Sequence, residues 1–251
     1  MKHKSMEEDM YYYYYHYLGS GNYRSLIVLI PAMILAFIAE IKVKTAYSRY
    51  SDVENSRHLT GANAARKMLD ANGLSGVPIN VLQGVEDLKN YFDPRSNTIN
   101  LSEAIYQADS VAAMCIACHE AGHAIQYATN YAPLRIRNGI VPAVNFASKI
   151  SWVLIMLGLI FSTSSQYGSI LFNIGALCFA SVVLFYLITL PVELDASRRA
   201  LSQMSDLGMV NDADYNGSQK VLRAAAMTYV AALATAVVSL LRVLLIRGNN
   251  D

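Results

Sequence analysis

The sequence predicts a mainly α membrane protein: about four membrane-spanning helices, with one small α+β domain in the polar stretch between the first and the second. Of the 251 residues, 54% are hydrophobic and 16% charged, a balance beyond that of an ordinary soluble domain. The apolar residues gather into long uncharged runs. One sizeable polar segment, 42–149, separates the first of those runs from the rest. Twenty basic and nineteen acidic residues lie scattered along the chain, which leaves no basic footprint for nucleic acid.

In chain order, 1–24 is a polar leader with mixed charge and a tyrosine run, Tyr11–Tyr15. Tyrosine suits a membrane interface, its ring among acyl chains and its hydroxyl among headgroups. No cleavable signal peptide is expected, because the first apolar run starts late and no small-residue cleavage pattern follows it. The first span is 25–41; it contains Pro31, and Arg24 and Glu40 at its ends must reach the interface.

The polar segment 42–149 reads as a small domain. Thr60–Asn72 sets Ala62, Ala65, Met68 and Leu69 on one helical face, with Gly73 as the stop. Val77–Leu82 alternates like a strand, Tyr91–Asn97 carries turn chemistry, and Thr98–Leu101 is a second short strand. Ser102 can cap a helix, and a longer helix is expected from about Ser110.

That longer helix carries His119-Glu120-Ala121-Gly122-His123, the pattern H-E-x-x-H. Two histidines at i and i+4 project from one face, so both imidazoles can bind one Zn²⁺. Glu120 can then act as general base toward a water whose pKa the ion lowers from about 16 to about 7. The plainer reading is a helix with two surface histidines and an acid. Cys115 and Cys118 spell C-x-x-C just before the motif, but no second pair or strand context accompanies them. They read as small buried residues.

Three further spans follow: 150–165, 168–192, which is uncharged throughout, and 224–246, where Arg242 sits close enough to the end to reach the interface. Between the last two, 193–223 is a polar helical segment opening with Glu193-Leu194-Asp195-Ala196-Ser197-Arg198-Arg199. A catalytic zinc needs a third protein ligand. Of the remaining histidines, His3, His16 and His58, the first two fall in the polar leader or the tyrosine run, so a carboxylate is the better candidate, and Glu193 is the first ionisable residue after the third span. Asp195 lies about 200° round the helix from it and is expected to orient a ligand imidazole instead. The plainer alternative pairs Glu193 and Asp195 with Arg198 and Arg199.

Topology is consistent with a shared site. Lys42, Lys44, Arg49, Arg135, Arg137, Lys149, Arg198 and Arg199 all fall at the same ends of the spans, which the positive-inside rule puts in the cytoplasm. With four spans, His119, His123 and Glu193 share that face.

The motifs also resemble a known family. His119–Gln126, Asp93-Pro94-Arg95 before it, Tyr131–Leu134 and Val141–Phe146 after it, and Leu190–Leu201 near the end are similar in order and spacing to the bacterial YugP-type membrane zinc metallopeptidases. That family is in turn similar to HtpX-type membrane proteases, whose glutamate ligand from a later helix agrees with Glu193. In that pattern Ala-Asp follows the glutamate, whereas here the order is Asp195-Ala196. The resemblance implies a gluzincin-like zinc endopeptidase of the EC 3.4.24 type. It would be a multi-pass protein of the bacterial plasma membrane, holding one Zn²⁺ on its cytoplasmic side and acting on protein or peptide substrates. In that mechanism Glu120 passes the water proton to the leaving amine, and an oxyanion donor is required, for which Tyr127, Arg198 and Arg199 are candidates. Substrate could add as a strand along Thr98–Leu101. The rivals are a zinc-binding scaffold without proteolysis, a site-2-type intramembrane protease with Asp195 as ligand, and hydrolysis of a non-peptide acyl or amide bond.

Overall fold

A computed structural model describes residues 27–161 and 166–248. The tyrosine-rich leader, the start of the first span and most of the link after the second therefore lie outside the described residues. Ten elements follow in order: α1 (Ile30–Ser51), α2 (Gly61–Ala71), β1 (Ile79–Leu82), β2 (Tyr91–Asp93), β3 (Thr98–Ser102), α3 (Glu103–Gln107), α4 (Val111–Ala128), α5 (Ala132–Phe161), α6 (Gln166–Asp206) and α7 (Asp212–Gly248).

The local signals explain the short elements. Thr60 accepts from the Asn63 amide and caps α2, Ser102 caps α3, and Ser110 accepts from Ala113 and caps α4, each offering a hydroxyl oxygen as acceptor to an orphan amide of the first turn. Gly73, at φ +71°, lets the chain leave α2 in the left-handed region. Tyr91–Asp93, expected as a turn, is instead an edge strand: β2 runs antiparallel to β3, pairing Phe92 with Ile99. The turn chemistry is confined to the following four residues, where Asp93 accepts from the Arg95 amide and the Ser96 hydroxyl. The aromatic pair Tyr91-Phe92 favours a pleated surface, and only Pro94–Asn97 needs the bend. β1 is parallel to β3 in the order β1-β3-β2. Thr98–Leu101 is thus the central strand, with both edges occupied, and cannot accept a substrate strand.

By its internal contacts the chain forms two units. One comprises Phe37–Ala143 and Phe185–Val230. Its core joins Met68 and Leu69 of α2, Ile99 and Leu101 of β3, Met114, Ala117, Cys118 and Ala121 of α4, and Ala200 and Met204 of α6. The other takes in Val144–Leu184 and the chain from Ala231 on. There Ile155, Phe172, Phe179 and Val243 pack together, and Gly158 and Gly175 allow close helix approach.

Among the described residues, three helices, Ala132–Phe161, Tyr167–Asp206 and Asp212–Ile246, are long and apolar enough to cross a membrane. Large apolar side chains along them face outward, Leu177 at 73% exposure and Ile160 at 62%, an arrangement that suits hydrocarbon and not water. The helices do not stop where the apolar runs stop. The 168–192 run continues unbroken through Glu193 to Asp206, and the last span is preceded by three helical turns from Asp212. A membrane surface is a change of solvent, and nothing in 193–206 breaks the backbone pattern. In α1, Glu40 ends the expected first span and Lys42 and Lys44 follow it within the same helix, so α1 is not among the three.

Candidate metal centre

Helix α4 presents His119 and His123 one turn apart, their rings 4.8 Å between centroids and nearly perpendicular. Helix α6 brings Glu193 to them. Its Oε2 lies 3.3 Å from His119 Nε2 and 3.3 Å from His123 Nε2. The three groups offer ligand atoms all within 4.8 Å of one another. Two imidazole nitrogens and one buried carboxylate oxygen form the donor set that zinc prefers. The close approach has a specific cause. A Cβ on Gly122 would lie 2.7 Å from the Ala196 carbonyl oxygen, so only glycine, placed between the two histidines, lets α6 come this near. Glu193, Ala196, Ser197 and Ala200 share the face of α6 turned to α4.

Polar contacts behind the ligands fix their orientation. Gln126, fully buried, donates from Nε2 to the Val192 carbonyl at 2.8 Å and to Asp195 Oδ2 at 2.9 Å. Both partners are acceptors, so Oε1 must face His123 Nδ1, 3.0 Å away. His123 therefore carries its proton on Nδ1 and leaves the Nε2 lone pair toward Glu193. Burial pushes the His123 pKa down, but the hydrogen bond that a protonated Nε2 donates to Glu193, the charges of Glu193 and Glu120, and Gln126 outweigh it, and the net shift is upward. Ser197 Oγ sits 3.1 Å from His119 Nδ1 in the matching position. Asp195, expected to hold an imidazole directly, does so only through Gln126. Its carboxylate also accepts from Arg198 and, at 2.6 Å, from Arg199. Glu193 is free of both arginines, so the pairing alternative holds for Asp195 and fails for Glu193.

Glu120 is buried beside the cluster and accepts from the Phe92 amide at 2.9 Å, which places it at the free edge of β2. Two cavities meet there, of about 200 Å³ and about 130 Å³, and His119, Glu120, Glu193 and Tyr229 line both. None of the three expected oxyanion donors lines either. Tyr127 packs on Phe92 at 5.7 Å; Arg198 and Arg199 are held by Asp195, a buried charge that needs compensation. Tyr229 lines both cavities beside Glu120 and Glu193. Nothing in an apolar run read as a span singles it out, whereas Gln126 was detectable as a lone amide one turn after His123 in an apolar helix. Cys115 and Cys118 are fully buried free thiols in the core and take no part in the cluster.

The chain is similar to known proteins along most of its length. The family model described as "Putative neutral zinc metallopeptidase" matches residues 25–248. The chain is 40% identical over 225 residues to "Putative membrane protease YugP" of Bacillus subtilis (strain 168), covering 90% of this chain and 97% of that protein. No solved structure matches it.

Proposed function

Because the chain belongs to the "Putative neutral zinc metallopeptidase" family, we propose that it is a membrane-embedded, zinc-dependent endopeptidase acting on protein or peptide substrates. The observation that carries this reading is the convergence of His119, His123 and Glu193, with Glu120 lining the same two cavities. A Zn²⁺ bound there would be held by His119, His123 and Glu193 and would supply Lewis acidity for polarising a carbonyl and activating a water. Glu120 accepts the proton of that water and delivers it to the leaving amine nitrogen. Tyr229 donates to the oxyanion that forms on the attacked carbonyl. The substrate main chain lies along the free edge of β2, where the Phe92 amide already points at Glu120.

The first span, 25–41, makes the fourth crossing, and the lysines and arginines at one set of span ends put the site on the cytoplasmic side of the bacterial plasma membrane. A site-2-type mechanism with Asp195 as ligand is disfavoured, since Gln126, Arg198 and Arg199 occupy that carboxylate. A zinc scaffold has no chemical need for a buried base at Glu120.

The test is made on detergent-purified protein with an unfolded substrate. Glu120→Ala is expected to keep zinc and lose cleavage; Glu193→Ala is expected to lose both. Unchanged cleavage in Glu120→Ala would refute the assignment.

A further inference from the structure

The two cavities that meet at Glu120 differ in chemistry. They share His119, Glu120, Glu193, Tyr229 and Asn90, so a peptide bond held over Glu120 turns one flanking residue toward each. On one side the wall is mostly apolar, with Val43, Leu88, Ile116, Val221 and Leu222 beside the hydroxyls of Tyr47, Ser197 and Thr228 and no charged side chain beyond the shared ones. On the other the wall includes Arg137 and Asn138. Arg137 Nε is buried there without a hydrogen-bond partner. A buried donor without a partner costs free energy, which the guanidinium recovers by turning toward an acceptor placed in the cavity.

Charge points the same way. Glu120 and Glu193 bring two negative charges to the polar cavity and Arg137 one positive. A divalent ion at the cluster turns that local sum from −1 to +1, and a cavity sheltered from water magnifies the preference for an anion. A planar guanidinium matches a carboxylate better than it matches an amide oxygen.

On the peptidase reading, we infer that Arg137 sets substrate specificity: the polar cavity takes an Asp or Glu side chain adjoining the scissile bond, and the apolar cavity takes an apolar side chain on the other side. Arg137 acts on the substrate side chain and takes no part in bond cleavage.

The experiment uses the full-length, zinc-loaded protein in detergent and quenched fluorescent peptides that differ only by Asp or Asn at one position beside an apolar residue. Wild type should favour the Asp peptide about 10-fold or more in kcat/KM, the range expected for a hydrogen bond to a charged group. Arg137→Gln should bring the ratio to about one, Arg137→Lys should keep part of it, and Arg137→Glu should shift the preference to a Lys peptide. Zinc content equal to wild type marks a variant as folded, and the wild-type ratio stands as evidence by itself. The same peptides titrated onto zinc-loaded Glu120→Gln protein should show the same ranking in Kd without turnover. A wild-type ratio near one overturns the inference. So does an equal loss for both peptides in Arg137→Gln, which would place Arg137 on the substrate main chain. Peptides that bind with an Arg137-dependent ranking but are never cleaved support the subsite and refute the peptidase; peptides neither bound nor cleaved overturn both.

Discussion

Replacing Gly122 by alanine should open the metal centre without touching a ligand. A Cβ there lies 2.7 Å from the Ala196 carbonyl oxygen and 3.3 Å from the Ala196 Cα and carbonyl carbon, about 0.7 Å short of ordinary contact at the oxygen. The obstruction is backbone on both sides, so no rotamer relieves it, and α4 and α6 must part by a comparable amount. Ligand distances in a zinc site tolerate only about 0.2 Å. The displacement therefore falls on Glu193, whose carboxylate belongs to the retreating helix. Overpacking of this kind costs about 1–3 kcal/mol, which at about 1.4 kcal/mol per decade corresponds to a roughly 5- to 150-fold loss of zinc affinity. The sign is informative, because glycine to alanine within a helix ordinarily stabilises by about 1 kcal/mol. Gly139 provides the control: it lies in α5 with nothing within 4 Å of its would-be Cβ, so Gly139→Ala should leave zinc binding unchanged. Competition against a chromophoric chelator measures both. If Gly122→Ala binds zinc within two-fold of wild type, close approach at Ala196 is not what sets the ligand spacing.

Three other outcomes are expected. Gln126→Leu removes the group that holds the His123 proton on Nδ1 and should weaken zinc about 10- to 100-fold; unchanged affinity by the same competition assay would show that the tautomer is fixed otherwise. Tyr229→Phe should retain zinc and lower kcat about 100- to 1,000-fold with little change in KM, the signature of a donor used in the transition state, and an unaltered kcat would remove Tyr229 from that role. Burial pushes the Cys115 thiol up to about 12 and raises Cys118 as well, so both should resist alkylation in the folded protein and react in denaturant; mass spectrometry showing either labelled at the native stage would contradict their place in the core.

Much of this molecule is readable from its sequence because the relevant physics is local. The spacing of His119 and His123 is fixed by helical periodicity, the caps Thr60, Ser102 and Ser110 by hydrogen-bond chemistry within a turn, and the apolar runs by the cost of hydrating them. Even Glu193 was accessible, since an ionisable residue at the exit of a long apolar run has few other uses. Contacts between residues distant in sequence leave no such local trace. Tyr91–Asp93 became a strand because β3 was there to pair with it, and β3 in turn lost its free edge. Arg198 and Arg199 were drawn to Asp195 by a buried charge that no local pattern reveals. Tyr229 and Arg137 entered the site only because the fold sets them against Glu120, and the relay from Asp195 through Gln126 to His123 exists only where α6 meets α4. The chemistry available follows from residue types and their spacing along the chain, since ligand, base and solvent preference are local properties. Tertiary structure alone decided which groups face that chemistry, because such contacts depend on backbone approach distances, like the one glycine permits at Ala196, that no one-dimensional pattern encodes.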